Sequence, residues 1–178
     1  MSDYYLAHAI LNSNPKRVLN EILKSGYLLA SDISGNQGMS YTPLEYIHFS
    51  LFKDKKPLFE RTINLFISSK ILYKRSFRYA FRWVGTDISS TIKVNPRKCS
   101  KSTINRILNK INKYTLNPDN YYEILIKNKV NLHKYLVAIS PREKLGEKII
   151  NFIHKNYPNI LILDSFPESS SKLNYVDV

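Results

Sequence analysis

Proline that directly follows a helix-capping residue is the feature that most restricts how this chain of 178 residues can fold. A side-chain oxygen of Asn, Ser or Thr can accept from the free amides of a first helical turn. Proline suits the first helical position because its missing N–H is not needed there. Five of the eight prolines stand in such pairs, and each pair predicts a helix start: Asn14–Pro15, Thr42–Pro43, Asn95–Pro96, Asn117–Pro118 and Ser140–Pro141.

Apolar residues recur at helical spacing between these pairs. Gly26 follows the first stripe and suits the left-handed conformation that ends many helices. Strand-like alternation is rare, although residues 159–163 fit a short strand as well as a helix end. The pattern therefore predicts a mainly α protein. The stripes are Val18, Leu19, Ile22 and Leu23; Leu58, Phe59, Ile63, Phe66 and Ile67; Ile104, Ile107, Leu108, Ile111 and Tyr114; and Leu145, Ile149, Phe152 and Ile153.

Size and charge narrow the class of protein further. An apolar content of 43% is enough for one domain with a real core, and a formal net charge of +13 favours acidic partners. Part of that charge is also what an AT-rich genome would encode. No apolar run is long enough to cross a membrane and no secretory leader is visible, so we expect a cytoplasmic protein without membrane insertion.

Two segments of the chain resemble each other and, together, the ankyrin-repeat family. Residues 6–10 match residues 44–48, and the family's helix-opening motif stands at Thr42-Pro43-Leu44. Gly26 would close an outer helix, and Asp32 with Gly35 would lie in the finger that connects two units. The resemblance is clearest over residues 4–71. Glu45 in place of the motif's histidine and Lys70 in place of the closing glycine depart from the family pattern.

The resemblance implies a fold and a role. Stacked helix-turn-helix units at about 4–31, 32–72, 73–115 and 117–163 would form a short solenoid, with residues 164–178 as a flexible tail. Such proteins are non-enzymatic binding modules without cofactors, and they occur as host-directed effectors of viruses and intracellular bacteria, in the host cytoplasm or nucleus. The long finger would contact a partner protein through Asn36, Gln37, Met39 and Tyr41. An irregular helical bundle, in which Thr42-Pro43 is only a cap, is the alternative.

The centre of the chain carries most of the excess positive charge. The segment from Lys70 to Lys113 contains twelve Lys and Arg residues and one acid, Asp87. If residues 73–84 form a helix, one side is apolar and Arg75, Arg78 and Arg82 form a row on the other. This row would bind an acidic protein surface. Alternatively, the region binds RNA or DNA. The residues that would do so are the three arginines of the row and three basic residues of the next predicted helix: Arg75, Arg78, Arg82, Arg106, Lys110 and Lys113.

Sequence motifs for catalysis are missing. The four histidines, His8, His48, His133 and His154, show no metal-ligand spacing, and five glycines include no phosphate-binding loop. His8 falls in the core-forming part of its segment, where a structural role is expected. Cys99 lies among basic residues, but no partner motif accompanies it. The sequence therefore predicts a protein that is not an enzyme.

Overall fold

The computed structural model describes residues 4–30, 45–53, 63–81, 88–115, 122–167, 171 and 173. These residues form a mixed α/β fold. The strands are β1 Tyr5–Ile10, β2 Tyr27–Leu29, β3 Tyr46–Phe52, β4 Ile63–Ser68, β5 Phe77–Ala80, β6 Ile92–Val94, β7 Glu123–Lys127, β8 Lys129–Asn131, β9 Leu136–Ser140 and β10 Leu161–Ile162. The α-helices are α1 Pro15–Ser25, α2 Lys101–Thr115, α3 Leu132–Tyr135 and α4 Glu147–Asn156.

Eight of these strands form one sheet in the order β10-β9-β4-β1-β3-β7-β5-β6, and β2 pairs with β8 separately. Every pair in the large sheet is antiparallel except β9 with β10. Helices α1 and α2 lie on one face, where Leu19, Leu23, Ile104 and Leu108 join the main core. The other face carries a smaller cluster that includes Phe52 and Phe66.

Strands β1 and β3 pair along only part of their length. The place in the middle of the sheet where this pairing ends is called the fork here. β1 pairs with β4 along its whole length, from Tyr5 to Ile10. Its pairing with β3 covers only Tyr5 to Ala7. The first half of β3, from Tyr46 to Phe49, does not pair with β1 and pairs with β7 instead. The later part of β1 and the earlier part of β3 are therefore neighbours without a regular ladder between them.

Several local predictions are confirmed. Asn14 caps α1 by accepting from the amide of Arg17, with Pro15 in the first turn, and Asn95 caps a short 3₁₀ turn in the same way. Gly26 ends α1 with φ +73°. The third and fourth apolar stripes form α2 and α4. Ser140 is instead the last residue of β9 and Pro141 follows it, and the pairs at residues 42–43 and 117–118 lie outside the described residues.

The predicted mainly α solenoid and the ankyrin resemblance are wrong. The described parts of the two segments predicted to be matching inner helices lie in strands β1 and β3, and Ile63, Phe66 and Ile67 of the second apolar stripe lie in β4. Strand β4 is buried on both faces from Ile63 to Ile67. Such a strand is a continuous apolar run without alternation, so its sequence cannot be told from a buried helix by period. Successive helix pairs that would form the predicted units are therefore absent from the described residues.

The C-terminal segment departs from the expected tail. Phe166 contacts the rings of Phe52 and Phe66 at centroid distances of 5.5 and 5.3 Å. Leu173 is fully buried in the same cluster. These two side chains cover the sheet face opposite α1 and α2, so the chain after residue 163 contributes to the core.

Candidate functional site

His8 lies at the fork between β1 and β3. Its Nδ1 is 2.9 Å from the backbone oxygen of His48, so the ring donates to β3 beyond the last ladder pair. The ring also contacts that of Phe49, with 5.7 Å between centroids. A side chain thus bridges the strands where the regular ladder has ended. The Nδ1–H tautomer leaves Nε2 as an acceptor.

The His8 ring is uncharged at neutral pH. Burial, with a smaller contribution from His48, lowers the pKa of His8 from the ordinary 6.5 to about 4. The hydrogen bond to the His48 backbone opposes this shift without cancelling it. A neutral imidazole can stand beside a cationic group of a ligand without repelling it.

Strand β3 brings His48 against Glu123, the first residue of β7. Nδ1 of His48 is 3.1 Å from Oε1 of Glu123. The two share a sheet face, because His48 pairs with Leu125 and Glu123 precedes Leu125 by two residues. The Glu123 side chain is 5% exposed and that of His48 is 21% exposed. A carboxylate is thus held almost out of water, next to the fork.

This arrangement suits the stabilisation of positive charge in a bound molecule. A buried carboxylate interacts more strongly with a cation than an exposed one because less water screens it. Keeping a carboxylate buried is costly unless a donor compensates it, and His48 supplies one. His48 and Glu123 therefore form the candidate site on one face of the sheet, and His8 borders it at the fork, with its ring against Phe49 on the opposite face, which carries α1 and α2. Among the described residues, no group of three His, Cys, Asp or Glu side chains could hold a metal ion.

The predicted arginine row does not exist as a helix face. Residues 77–80 form β5, in which Phe77 and Tyr79 point to the core. Arg78 donates from Nη1 to Oγ1 of Thr91 at 2.8 Å. Arg75 donates to the backbone oxygens of Lys127, at 2.8 Å, and of Lys129, so it holds the turn between β7 and β8. Alternation of Phe, Arg and Tyr was the strand signal that the helical reading missed.

The basic residues of α2 are placed as predicted. Arg106, Lys110 and Lys113 are exposed, on the side away from the buried Ile104, Leu108 and Ile111. Their role in nucleic-acid binding stays a prediction. The other predicted contact residues, Asn36, Gln37, Met39, Tyr41 and Arg82, lie outside the described residues.

Glu123 is the site residue that sequence reasoning missed. It is an isolated acid at the head of the apolar run Ile124-Leu125-Ile126. A lone carboxylate in a strand-forming apolar segment is expensive to bury, and this is a signal of function. His8 and His48 are 40 positions apart in the sequence, and their proximity depends on strand pairing, which no local motif shows.

Solved structures with the same fold are DarT proteins of Thermus sp. 2.9. The complex with carba-NAD+ has a TM-score of 0.55 at 13% identity and covers 89% of this chain and 94% of that chain. The complex with NAD+ has a TM-score of 0.50 at 14% identity, with 90% and 95% covered. The complex with ADP-ribosylated single-stranded DNA has a TM-score of 0.53 at 13% identity, with 93% and 94% covered.

These matches overturn the predicted role. The non-enzymatic protein-binding module, and the effector role derived from it, depended on stacked helical repeats, and the fold is instead one seen in NAD+ complexes. The prediction that the protein is not an enzyme is wrong for the same reason. Nothing in the fold or the comparisons supports a protein partner for the finger or the arginine row. None of the helices among the described residues has the length and apolarity to cross a membrane.

One relative in sequence covers the chain almost completely. Uncharacterized protein L54 of Acanthamoeba polyphaga mimivirus is 42% identical over 99% of this chain and 98% of that protein. The sequence profile of DUF5846, a family of unknown function, matches residues 1–118. The chain belongs to the DUF5846 family.

Proposed function

We propose that the protein is an ADP-ribosyltransferase: the bond between nicotinamide and ribose in NAD+ breaks, ADP-ribose replaces a proton on an acceptor atom of a nucleic acid, and nicotinamide and that proton are released. The observation that carries the proposal is the buried Glu123 carboxylate, bonded to His48 beside the fork of the sheet. Support comes from the fold, which is shared with structures that hold NAD+ and ADP-ribosylated single-stranded DNA.

The site residues fit the chemistry of the donor. Breaking the bond between nicotinamide and ribose places positive charge on the ribose, as in glycoside hydrolysis. The Glu123 carboxylate opposes that charge at the moment it develops and can also accept from a ribose hydroxyl. Its burial makes both interactions stronger than they would be in water.

The neutral ring of His8 contributes to binding of the NAD+ donor. With its Nδ1–H committed to the His48 backbone, its Nε2 can accept a hydrogen bond from a ribose hydroxyl. A protonated ring would repel the cationic nicotinamide of the donor. The low pKa of His8, about 4, keeps the ring neutral at the pH of a cell.

Helix α2 supplies a surface for the acceptor. Arg106, Lys110 and Lys113 are exposed, and no acid occurs in the helix. Exposed cations of this kind bind phosphates without regard to sequence. We propose that this face binds the nucleic-acid backbone.

The test is transfer of label from NAD+ carrying radioactive phosphate to single-stranded DNA, single-stranded RNA or duplex DNA. We expect label on at least one single-stranded oligonucleotide. Glu123→Gln keeps the shape and an acceptor for His48 but removes the negative charge, and should slow transfer by about 10²-fold or more. Retained binding of the oligonucleotide by Glu123→Gln is the control for folding. Absence of transfer by the wild type, or full activity of Glu123→Gln, would contradict the proposal.

A further inference from the structure

We propose that His48 is a positioning residue for Glu123, and this inference rests on the proposed function. The Nδ1–H of His48 donates to Oε1 of Glu123 across 3.1 Å. Because a carboxylate is planar, holding one oxygen from a fixed direction also orients the other. His48 thereby sets the direction in which the carboxylate faces the ribose of the donor.

The backbone makes this orientation rigid. His48 lies within β3, flanked by β1 and β7, and its own backbone oxygen accepts from His8. The backbone of Glu123 is paired on its other side with Ala80 of β5. Both partners of the hydrogen bond are thus attached to central strands, where shifts of the backbone are small. Rigid elements hold a reacting group more precisely than loops do.

A purely structural role does not explain why position 48 holds a histidine. Its Nε2 is buried and has no hydrogen-bond partner among the described residues. Burying an unsatisfied ring nitrogen is unfavourable, and Leu125 shows that the neighbouring position on the same face accepts an apolar side chain. The imidazole is therefore accounted for by the bond that its other nitrogen makes with Glu123.

Two amide variants separate the two ring nitrogens. The side-chain nitrogen of His48→Asn can occupy the place of Nδ1 and keep the bond to Glu123. The longer side chain of His48→Gln carries its nitrogen near the place of Nε2 and loses that bond. Both variants remove the ring and differ from each other by one methylene group, and thermal unfolding of each reports any general damage.

The expected result is a difference in turnover rather than in binding. A misplaced reacting group commonly costs about 10²-fold in rate, so His48→Gln should lower kcat by about that factor and change KM for NAD+ by less than about threefold. His48→Asn should stay within about fivefold of the wild type. Wild-type transfer with equal kcat in both variants would overturn this inference alone. Absence of wild-type transfer would overturn the proposed function and this inference with it.

A measurement on the wild-type chain needs neither variant folding nor activity. Long-range proton–nitrogen NMR correlations of the ¹⁵N-labelled histidine rings show which nitrogen carries the proton. We expect His48 to carry it on Nδ1. A His48 ring protonated only on Nε2 would overturn the proposal, since the bond to Glu123 would then lack its donor.

Discussion

At the scale of single residues, the site depends on side chains whose neighbours change their chemistry. His8 donates to the His48 backbone, and His48 donates to Glu123, so strands β1, β3 and β7 are linked in turn. The carboxylate has a donor, and the His8 ring is kept neutral by burial. The consequence is a site with one negative group and no competing positive charge on His8 at neutral pH.

Protonation of His8 should make stability fall in acid. The pKa of His8 is about 4 in the folded protein and 6.5 ordinarily, so between these values the unfolded chain binds a proton that the folded chain does not. The contribution of His8 to stability is complete above pH 6.5 and is lost as the pH falls toward 4, by at most about 3–4 kcal/mol. His8→Asn keeps a donor for the His48 backbone but cannot titrate.

Urea unfolding at several pH values tests this prediction. Other groups titrate in the same range, so the comparison is between the wild type and His8→Asn. We expect the free energy of unfolding of His8→Asn to decline less steeply between pH 6.5 and 4. Parallel curves for the two proteins would show that His8 is not the group responsible.

At the scale of elements, the end of α1 is held by contacts from two other parts of the chain. Gly26 has φ +73°, and its carbonyl accepts from the amide of Leu132 at 2.9 Å. Tyr157 donates its hydroxyl to the backbone oxygen of Leu23 at 2.7 Å and stacks on His133. The end of α1 is therefore tied to the start of α3 and to Tyr157, the residue after α4.

Gly26→Ala should destabilise the protein by about 1–2 kcal/mol. The left-handed backbone strains any side chain, and the new Cβ would lie 3.1 Å from Nε2 of His133, whose ring is fixed by its stacking on Tyr157. Denaturant unfolding measures the effect. Gly146→Ala is the control, because an added Cβ there meets nothing within 4 Å and φ is −69°. Equal losses in both variants would contradict this explanation.

At the scale of the whole molecule, the net charge is +13, and we expect the basic residues of α2 to contribute more to nucleic-acid binding than basic residues elsewhere. Replacing Arg106, Lys110 and Lys113 by Glu should weaken binding to single-stranded nucleic acid. Each phosphate contact contributes about 0.7 to the salt slope for single strands, so the slope should fall by about 2. Binding titrations at several salt concentrations measure it.

The matched control changes the same amount of charge elsewhere. Lys144, Lys148 and Lys155 are exposed at and along α4, and their replacement by Glu gives an equal net charge. We expect this variant to keep most of the salt slope. If both variants lose it equally, the attraction is a property of total charge and the α2 face is not a specific surface.

Local sequence signals were enough to predict helices α1, α2 and α4, but not the strands or the site. The Asn14 cap, the Gly26 stop and the apolar stripes of α1, α2 and α4 were predictable, because each acts within a turn or along one helix. The exposed basic side of α2 follows from the same periodicity. These properties were determined by the sequence itself, since residues only three or four positions apart decide them.

Only the tertiary structure decided that the chain is a sheet protein with a site. Strand β4 is buried on both faces, so its pattern carries no strand period, and the fork exists because β1 and β3 stop pairing. His8 reaches across 40 positions to His48, and His48 across 75 to Glu123. No local rule encodes such separations, because strand pairing is chosen by burial of the whole chain at once.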